Sequence, residues 1–176
     1  YTYDKLFSEY RHTVAQILVT GSDIGCDERR KNFHNTLNRL LELHALPIIN
    51  ENDSIATEEI VIGDNDTLAA IVAESVNADL LILLSDIDGL YTSDPHKNPD
   101  AKLIDRVYKI TDEIKALGGG KGSSLGTGGM ATKIKAAEIS TSSGCDMIII
   151  NGEKPEYLYD IIDGKSVGTR FYSEGK

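Results

Sequence analysis

A helical pattern followed by a short apolar run occurs three times along this chain, and this order limits its fold more than any other feature. The three runs occupy residues 46–50, 80–84 and 147–150. Strands that are apolar at consecutive rather than alternate positions are typical of sheets covered on both faces. We therefore predict an α/β fold with an open, mostly parallel sheet sandwiched between helices.

The helical patterns place apolar side chains three and four residues apart, as in a helix with one face on a core. The stripes are Phe33, Leu37, Leu40 and Leu41, then Leu68, Ile71, Val72, Ser75 and Val76, and finally Met130, Ile134, Ala137 and Thr141. The second stripe begins just after the DND sequence of residues 64–66, whose short polar side chains suit a helix N-cap. We find no internal repeat or linker, so we expect one domain over residues 1–176.

The charge of the chain limits its partners. With 28 acidic and 18 basic residues the net charge is −10, which repels nucleic-acid phosphates and anionic lipid surfaces. The longest apolar run, residues 80–84, is far shorter than the roughly 18 residues of a membrane-spanning helix. We therefore expect no nucleic-acid partner and no membrane association. An anionic ligand must be held locally, by lysines, backbone N–H groups or a metal ion.

The two cysteines, Cys26 and Cys145, are far apart and form neither a CxxC pair nor part of a Cys/His ligand spacing. They are typical of free thiols in a reducing cytosol. No secretory signal is recognisable, so we expect a cytoplasmic protein. The four histidines show no metal-ligand spacing either, and we assign no residue as a metal ligand.

Polar residues follow the apolar runs, where open α/β sheets bind their ligands. The first run leads into NEND (residues 50–53), which is followed along the chain by GDND (residues 63–66), and the third leads into Asn151. Carboxylates and amides of NEND and GDND can bind an ammonium group, orient lysines or hold Mg²⁺ through water. The alternative is turn chemistry, in which Asp64 or Asp66 only caps the following helix.

The second run leads into Ser85 and Asp86, within a turn-rich stretch that continues to Pro95. These two side chains are placed to form hydrogen bonds with the phosphate or sugar of a nucleotide. A loop that only contains an Asp-Pro turn is the alternative interpretation.

A glycine-rich stretch with seven glycines, residues 118–129, runs directly into the third helical stripe, with Lys133 in its first turns. Glycine N–H groups, a helix N-terminus and an ammonium group are the parts of a phosphate site. The stretch lacks the Gly-Lys-Ser/Thr of a Walker A loop. It matches the dinucleotide pattern G-x-G-x-x-A, with Asp146 downstream, but no strand leads into it. A flexible loop before a helix is the other alternative.

Four segments together resemble the glutamate 5-kinases of the amino acid kinase family. They are PIINENDSIA (47–56), IGDNDTLAAIVA (62–73), ADLLILLSDIDGLYTSDP (78–95) and GTGGMATKIKAA (126–137). The resemblance extends from AQILVT at residues 15–20 to GTRF at residues 168–171. Acetylglutamate kinase, uridylate kinase and aspartokinase share the nucleotide half but not the combination of NEND with GDND.

The resemblance implies the amino acid kinase fold and ATP-dependent phosphorylation of the γ-carboxylate of L-glutamate, the first step of proline synthesis. It implies ATP with Mg²⁺, and proline as a feedback inhibitor; we also expect a homo-oligomer. The glutamate-binding residues it implies are Asp53 and Asn65, with Asn50 and Asp64 beside them. The ATP-binding residues it implies are Ser85, Asp86, Thr127, Gly128, Gly129, Met130, Ala131, Thr132 and Lys133. It makes Lys133 a catalytic residue and Asp66 the carboxylate that orients the catalytic lysines.

The chain departs from the family pattern at its start. Family members begin with a strand and a glycine-rich loop that carries another catalytic lysine, followed by a Ser-Gly substrate loop, and neither precedes Tyr1. We therefore expect a partial amino acid kinase domain without its N-terminal strands. We also expect the short form, without an RNA-binding-type C-terminal domain. The alternatives are another small-acid kinase of the family and a non-catalytic regulatory domain that binds an amino acid or a nucleotide.

Overall fold

The structure, a computed structural model, describes residues 2–52, 62–119 and 129–174. The helices are α1 (Thr2–Ser8), α2 (Gly21–Gly25), α3 (Asp27–Glu42), α4 (Asn65–Ser75), α5 (Asp112–Leu117), α6 (Met130–Ser142) and α7 (Tyr157–Ile162). The strands are β1 (Thr13–Val19), β2 (Ala45–Glu51), β3 (Leu80–Ser85), β4 (Arg106–Val107), β5 (Asp146–Asn151) and β6 (Thr169–Phe171). The chain forms two compact units, Tyr1–Leu68 and Ala69–Lys176.

Unit 1 contains a parallel pair of strands, β1 and β2, connected through α2 and α3. Their register runs from Thr13 opposite Ala45 to Val19 opposite Glu51. The N–H of Asn52 donates to the Val19 carbonyl at 2.8 Å, which extends the pairing past the end of β2. Because the strands are parallel and in step, their carboxyl ends lie side by side.

Unit 2 contains a four-stranded sheet in the order β3-β5-β6-β4. Strands β3 and β5 are parallel, β6 is antiparallel to β5, and β4 is parallel to β6. A short turn joins α6 to β5, fixed by hydrogen bonds from the Cys145 N–H to the Ser140 carbonyl (3.0 Å) and from Ser140 Oγ to the Cys145 carbonyl (2.9 Å). The helix and the strand therefore run in opposite directions, and the N-terminus of α6 lies at the edge where β5 ends.

The core of unit 2 covers both faces of β5. Met147 and Ile149 pack in one buried cluster with residues of α6, and Ile148 and Ile150 pack in another with Ile161 of α7. The prediction of a strand buried on both faces is therefore confirmed for β5. The same clustering explains the third helical stripe, whose Ile134 and Ala137 face the first cluster.

The prediction of burial on both faces is confirmed only in part for the other two apolar runs. In β3, Leu83 is buried in the first cluster, and Leu80 and Ile82 pack against the second. Leu84 of β3 is 50% exposed and Leu46 of β2 is 40% exposed. Among the described residues each of these strands pairs with one neighbouring strand only. An outer strand is covered less completely than a central one, although its sequence is equally apolar.

The predicted fold class is confirmed: helices and strands alternate, and neither of the described sheets is closed. Three strand pairings are parallel, β1 with β2, β3 with β5 and β4 with β6, while β5 with β6 is antiparallel. None of the helices in the described ranges is both long and apolar enough to cross a membrane. Both cysteines are free thiols, as expected; Cys26 is exposed and Cys145 is buried.

Candidate functional site

In unit 1, the Glu51 carboxylate ties the end of β2 to the segment that leads into α4. One of its oxygens accepts a hydrogen bond from the Ile62 N–H at 2.8 Å, and the other accepts one from the Gly63 N–H at 3.2 Å. Gly63 has a φ of 83°, a left-handed conformation that a glycine adopts without strain. Ile62 and Gly63 lie 11 and 12 residues after Glu51 in the sequence. The Glu51 side chain therefore joins the NEND segment to the start of the GDND segment.

Asp64 is the N-cap of α4. Its Oδ1 accepts a hydrogen bond from the backbone N–H of Thr67 at 2.6 Å, and its Oδ2 accepts one from Thr67 Oγ1 at 2.8 Å. Thr67 itself is buried. Asp64 therefore caps the helix, and both of its carboxylate oxygens are engaged within the chain.

The other predicted glutamate-site residues of unit 1 differ in exposure. Asn50 lies near the end of β2 and Asn65 is the first residue of α4, and both are exposed. Their amide groups can accept a hydrogen bond from an ammonium group and donate one to a carboxylate. Asp66 lies in the first turn of α4 and is half-buried. Asp53 lies outside the described residues.

A polar turn at the end of β1, not singled out in the sequence, lies at the same edge as the end of β2. The N–H and Oγ1 of Thr20 both donate to Asp23 Oδ2, at 2.9 and 2.7 Å. The hydrogen bond from the Thr20 side chain is the main cause that lowers the pKa of Asp23. The sequence signal was Thr-x-x-Asp directly after an apolar run, which is a capping pattern.

In unit 2, Ser85 and Asp86 lie where β3 ends. Ser85 Oγ donates a hydrogen bond to Asp86 Oδ1 at 3.0 Å. The Gly152 N–H donates to the Ser85 carbonyl at 2.7 Å, so the exit of β3 is tied to the exit of β5. Ser85 is half-buried, whereas Asp86 is exposed and can interact with a ligand.

Asp88 joins further polar groups to the same edge. Asn151 Nδ2 donates to its Oδ1 at 3.0 Å, and the Tyr91 hydroxyl donates to its Oδ2 at 3.1 Å. Burial and the neighbouring Asp88 carboxylate both raise the pKa of Tyr91. The sequence signal for Asn151 is that it directly follows the apolar run of residues 147–150, as Ser85 follows that of residues 80–84. In the sheet these two residues lie opposite each other. No sequence pattern distinguishes Asp88 from its turn-rich stretch.

The predicted phosphate site lies at the start of α6. Gly129 and Ala131 are exposed, and Met130, Thr132 and Lys133 are half-buried. Thr132 Oγ1 donates to the Gly129 carbonyl at 2.9 Å. The first backbone N–H groups of a helix have no acceptor within it, so this turn presents donors at the edge where β5 ends. Thr127 and Gly128 lie outside the described residues.

The end of α5 packs directly on this turn. A Cβ atom placed on Gly118 would lie 3.1 Å from the Cα of Ala131 and 3.0 Å from Ile134 Cδ1. Lys115 of α5 also forms a 2.6 Å ion pair with Glu138 of α6. A side chain at residue 118 would therefore press against the first turn of α6.

The structure contradicts the dinucleotide-binding alternative. A helix, α5, precedes the glycine-rich stretch where that motif requires a strand. Asp146 starts β5, at the opposite edge from the N-terminus of α6, and accepts hydrogen bonds from Arg170 Nη2 at 2.7 Å and the Ser173 N–H at 2.8 Å. Burial raises the pKa of Asp146, but the hydrogen bonds from Ser173 and Arg170 outweigh it and hold the pKa below the ordinary value of an aspartate.

Residues 1–151 match the amino acid kinase family. A protein of Clostridium tetani named glutamate 5-kinase is 56% identical over 171 residues, which are 97% of this chain and 64% of that protein. The glutamate 5-kinase of Clostridium acetobutylicum is 53% identical over 176 residues, 100% of this chain and 66% of that protein. The chain therefore spans less than two thirds of the length of these relatives.

Two solved structures show the same fold at low sequence identity. One is isopentenyl phosphate kinase of T. acidophilum in a product complex, with a TM-score of 0.64 at 21% identity. The match covers 95% of this chain and 63% of the isopentenyl phosphate kinase chain. The other is UMP kinase of Ureaplasma parvum, with a TM-score of 0.64 at 16% identity. That match covers 98% of this chain and 65% of the UMP kinase chain. The family match over residues 1–151 and the shared fold agree, and the chain belongs to the amino acid kinase family.

Proposed function

We propose that the protein containing this chain transfers the γ-phosphoryl group of ATP to the γ-carboxylate of L-glutamate, giving L-glutamyl 5-phosphate for proline biosynthesis. The observation that carries the proposal is the high identity to relatives named glutamate 5-kinase along nearly the whole chain. The NEND and GDND segments support it, because Glu51 holds them together at one end of unit 1.

On the glutamate side, we assign Asp53 and Asn65 to the substrate, with Asn50 and Asp64 as neighbours. A carboxylate at Asp53 suits the substrate ammonium group. The exposed amides of Asn50 and Asn65 suit the carboxylates. Because Asp64 already caps α4, its contribution is to fix the start of the helix on which Asn65 lies.

On the nucleotide side, we assign Ser85, Asp86 and the residues from Thr127 to Lys133 to ATP. The exposed carboxylate of Asp86 lies at a strand end and can accept hydrogen bonds from the ribose hydroxyls. The first turn of α6 offers N–H donors to phosphate oxygens. Lys133 adds a positive charge where the transferred phosphoryl group needs one, and we assign catalysis to Lys133 and Asp66.

The reaction needs no general base, because a carboxylate is already a nucleophile. Its oxygen forms a bond to the γ-phosphorus, the bond from that phosphorus to the bridging oxygen breaks, and ADP leaves with the electron pair. The work of the protein is to hold two anions in line and to neutralise the charge between them.

Mg²⁺ is part of the proposal. The described residues contain no group of three or more His, Cys, Asp or Glu side chains that could hold a metal ion. We therefore take Mg²⁺ to be bound mainly by the ATP phosphates and by water, as is common for this ion. When bound, Mg²⁺ neutralises phosphate charge.

The test uses the full-length protein with ATP, Mg²⁺ and a panel of acceptors: L-glutamate, L-aspartate, N-acetyl-L-glutamate, UMP and isopentenyl phosphate. ADP release measures turnover with any acceptor, and hydroxylamine traps only acyl phosphates. We expect ADP and hydroxamate with L-glutamate. ADP release that is greatest with another acceptor would instead support a different kinase of the family, and nucleotide binding without turnover would support a regulatory domain.

A further inference from the structure

The hydroxyl of Thr169, the first residue of β6, is buried at the centre of a closed ring of hydrogen bonds. The Leu90 N–H donates to Thr169 Oγ1 at 2.8 Å, and Thr169 Oγ1 donates to the Ile104 carbonyl at 2.5 Å. The Ile104 N–H donates back to the Leu90 carbonyl at 2.8 Å. Thr169 is 0% exposed, so water from the solvent does not reach this hydroxyl or its hydrogen-bond partners.

Two glycines, Gly89 and Gly168, bring the backbone close to this hydroxyl and to β5. A Cβ atom on Gly89 would lie 2.5 Å from Thr169 Oγ1. Gly168 has a φ of 65°, and a Cβ atom there would collide with the Ile149 carbonyl of β5. The loop after β3 therefore lies directly against β6, which lies directly against β5.

This ring fixes one end of the loop that begins with Ser85 and Asp86. Its other end is fixed by the bond from the Gly152 N–H to the Ser85 carbonyl, at 2.7 Å. Between these two anchor points lie only residues 86–89. A short loop held at both ends has few conformations, so Asp86 is held in place before any ligand arrives.

We propose that Thr169 is a positioning residue for the nucleotide: its hydroxyl holds the loop of residues 85–90 in the conformation in which Ser85 and Asp86 bind ATP. This inference rests on the proposed function, because it takes that loop to be part of the nucleotide site. Thr169 is distant along the chain from the loop and touches only its far end. It acts through Leu90 and not through contact with ATP.

The test is Thr169→Val in the full-length protein, which keeps the branched shape and removes the hydroxyl. A buried N–H that loses its acceptor relaxes toward other partners, and the loop moves with it. We expect the KM for ATP to rise about tenfold, with the KM for glutamate unchanged. Thr169→Ser keeps the hydroxyl and should have the same KM for ATP as the wild-type protein. Thr141→Val, a half-buried threonine in the last turns of α6, is the matched control and should leave both constants unchanged.

A purely structural role would lower the amount of active protein, and thus kcat, without changing either KM. That result, or an equal rise in both KM values, would overturn the proposal. If Thr169→Val does not fold, the comparison of Thr169→Ala with Thr169→Ser decides the same question. ATP affinity measured by calorimetry separates the two proposals: failure of the wild-type protein to bind ATP contradicts the proposed function, whereas normal ATP affinity in folded Thr169→Val contradicts only the role of Thr169.

Discussion

Thr67 donates two hydrogen bonds to Asp64, one from its backbone N–H and one from its hydroxyl, and together they occupy both oxygens of the carboxylate. This pairing gives a residue of the candidate glutamate site a structural task. Replacing Asp64 with a residue that cannot cap the helix removes the cap of α4 and a negative charge of the candidate glutamate site together. The two effects can be separated because asparagine caps helices about as well as aspartate does.

We predict that Asp64→Ala lowers the free energy of unfolding by about 1 kcal/mol, the usual value of a lost N-cap, and that Asp64→Asn lowers it by less than half as much. Urea unfolding of the two variants measures the difference. Equal losses in both variants would mean that the charge of Asp64, and not its capping hydrogen bonds, stabilises the helix.

Glu51→Gln should raise the KM for glutamate about fivefold and leave the KM for ATP unchanged. The amide keeps one acceptor oxygen and loses the other, which removes one of the two bonds that hold the GDND segment, at roughly 1 kcal/mol. Steady-state kinetics with each substrate varied in turn measures this effect. Glu42→Gln, at the exposed end of α3, is the matched control. An unchanged KM for glutamate would remove Glu51 from the substrate side.

Sequence patterns predicted the helices α3, α4 and α6 and the strands β2, β3 and β5, because their signal is local, but they did not predict the seven-residue strand β1. The stripe that contains Phe33 and Leu37 is α3, and the apolar run at residues 147–150 is the centre of β5. The strands β4 and β6 have two and three residues, too few for any periodicity, and only their neighbours in the sheet define them. The exposure of Leu84 likewise depends on which strand lies at the edge of the sheet.

The candidate site likewise contains residues that sequence patterns indicated and residues that they did not. Residue type and order indicated Asp64, Ser85 and the start of α6, because turns and helix starts are encoded locally. The roles of Glu51 and Thr169 depend on hydrogen bonds to backbone groups distant in sequence, with Ile104 lying 65 residues from Thr169. No spacing rule contains such a bond, since it exists only after the chain has folded.

Lys133→Met is predicted to lower kcat by about 10²–10³-fold, because a lost positive group at a developing negative charge costs that much. Methionine retains the apolar stem of this half-buried side chain, so thermal stability should be nearly unchanged. Lys135→Met, on the exposed side of the same helix, is the control and should retain full activity. A kcat of Lys133→Met within tenfold of the wild-type value would exclude a catalytic role.

The ion pair of Asp146 and Arg170 predicts a pH-dependent difference in stability. Burial raises the pKa of Asp146, but hydrogen bonds from Ser173 and Arg170 outweigh it, so the pKa is lower in the folded chain than in the unfolded one. A lowered pKa stabilises the fold above the unfolded-state value, and this stabilisation is lost as the pH falls through the folded-state value. The wild-type protein should therefore be more stable than Asp146→Asn near neutral pH, and the difference should shrink below about pH 4. Urea unfolding between pH 3 and pH 7 measures it; a difference that stays constant with pH would contradict the assignment.

The two cysteines differ in exposure, and their rates of reaction with a thiol reagent should differ accordingly. Cys26 is exposed before α3, whereas Cys145 is buried in the turn between α6 and β5. A reagent should modify Cys26 at once and reach Cys145 only when that turn opens. The slow phase of labelling then measures how often that turn opens, and a shift in that phase on adding ATP would report nucleotide binding without any engineered probe.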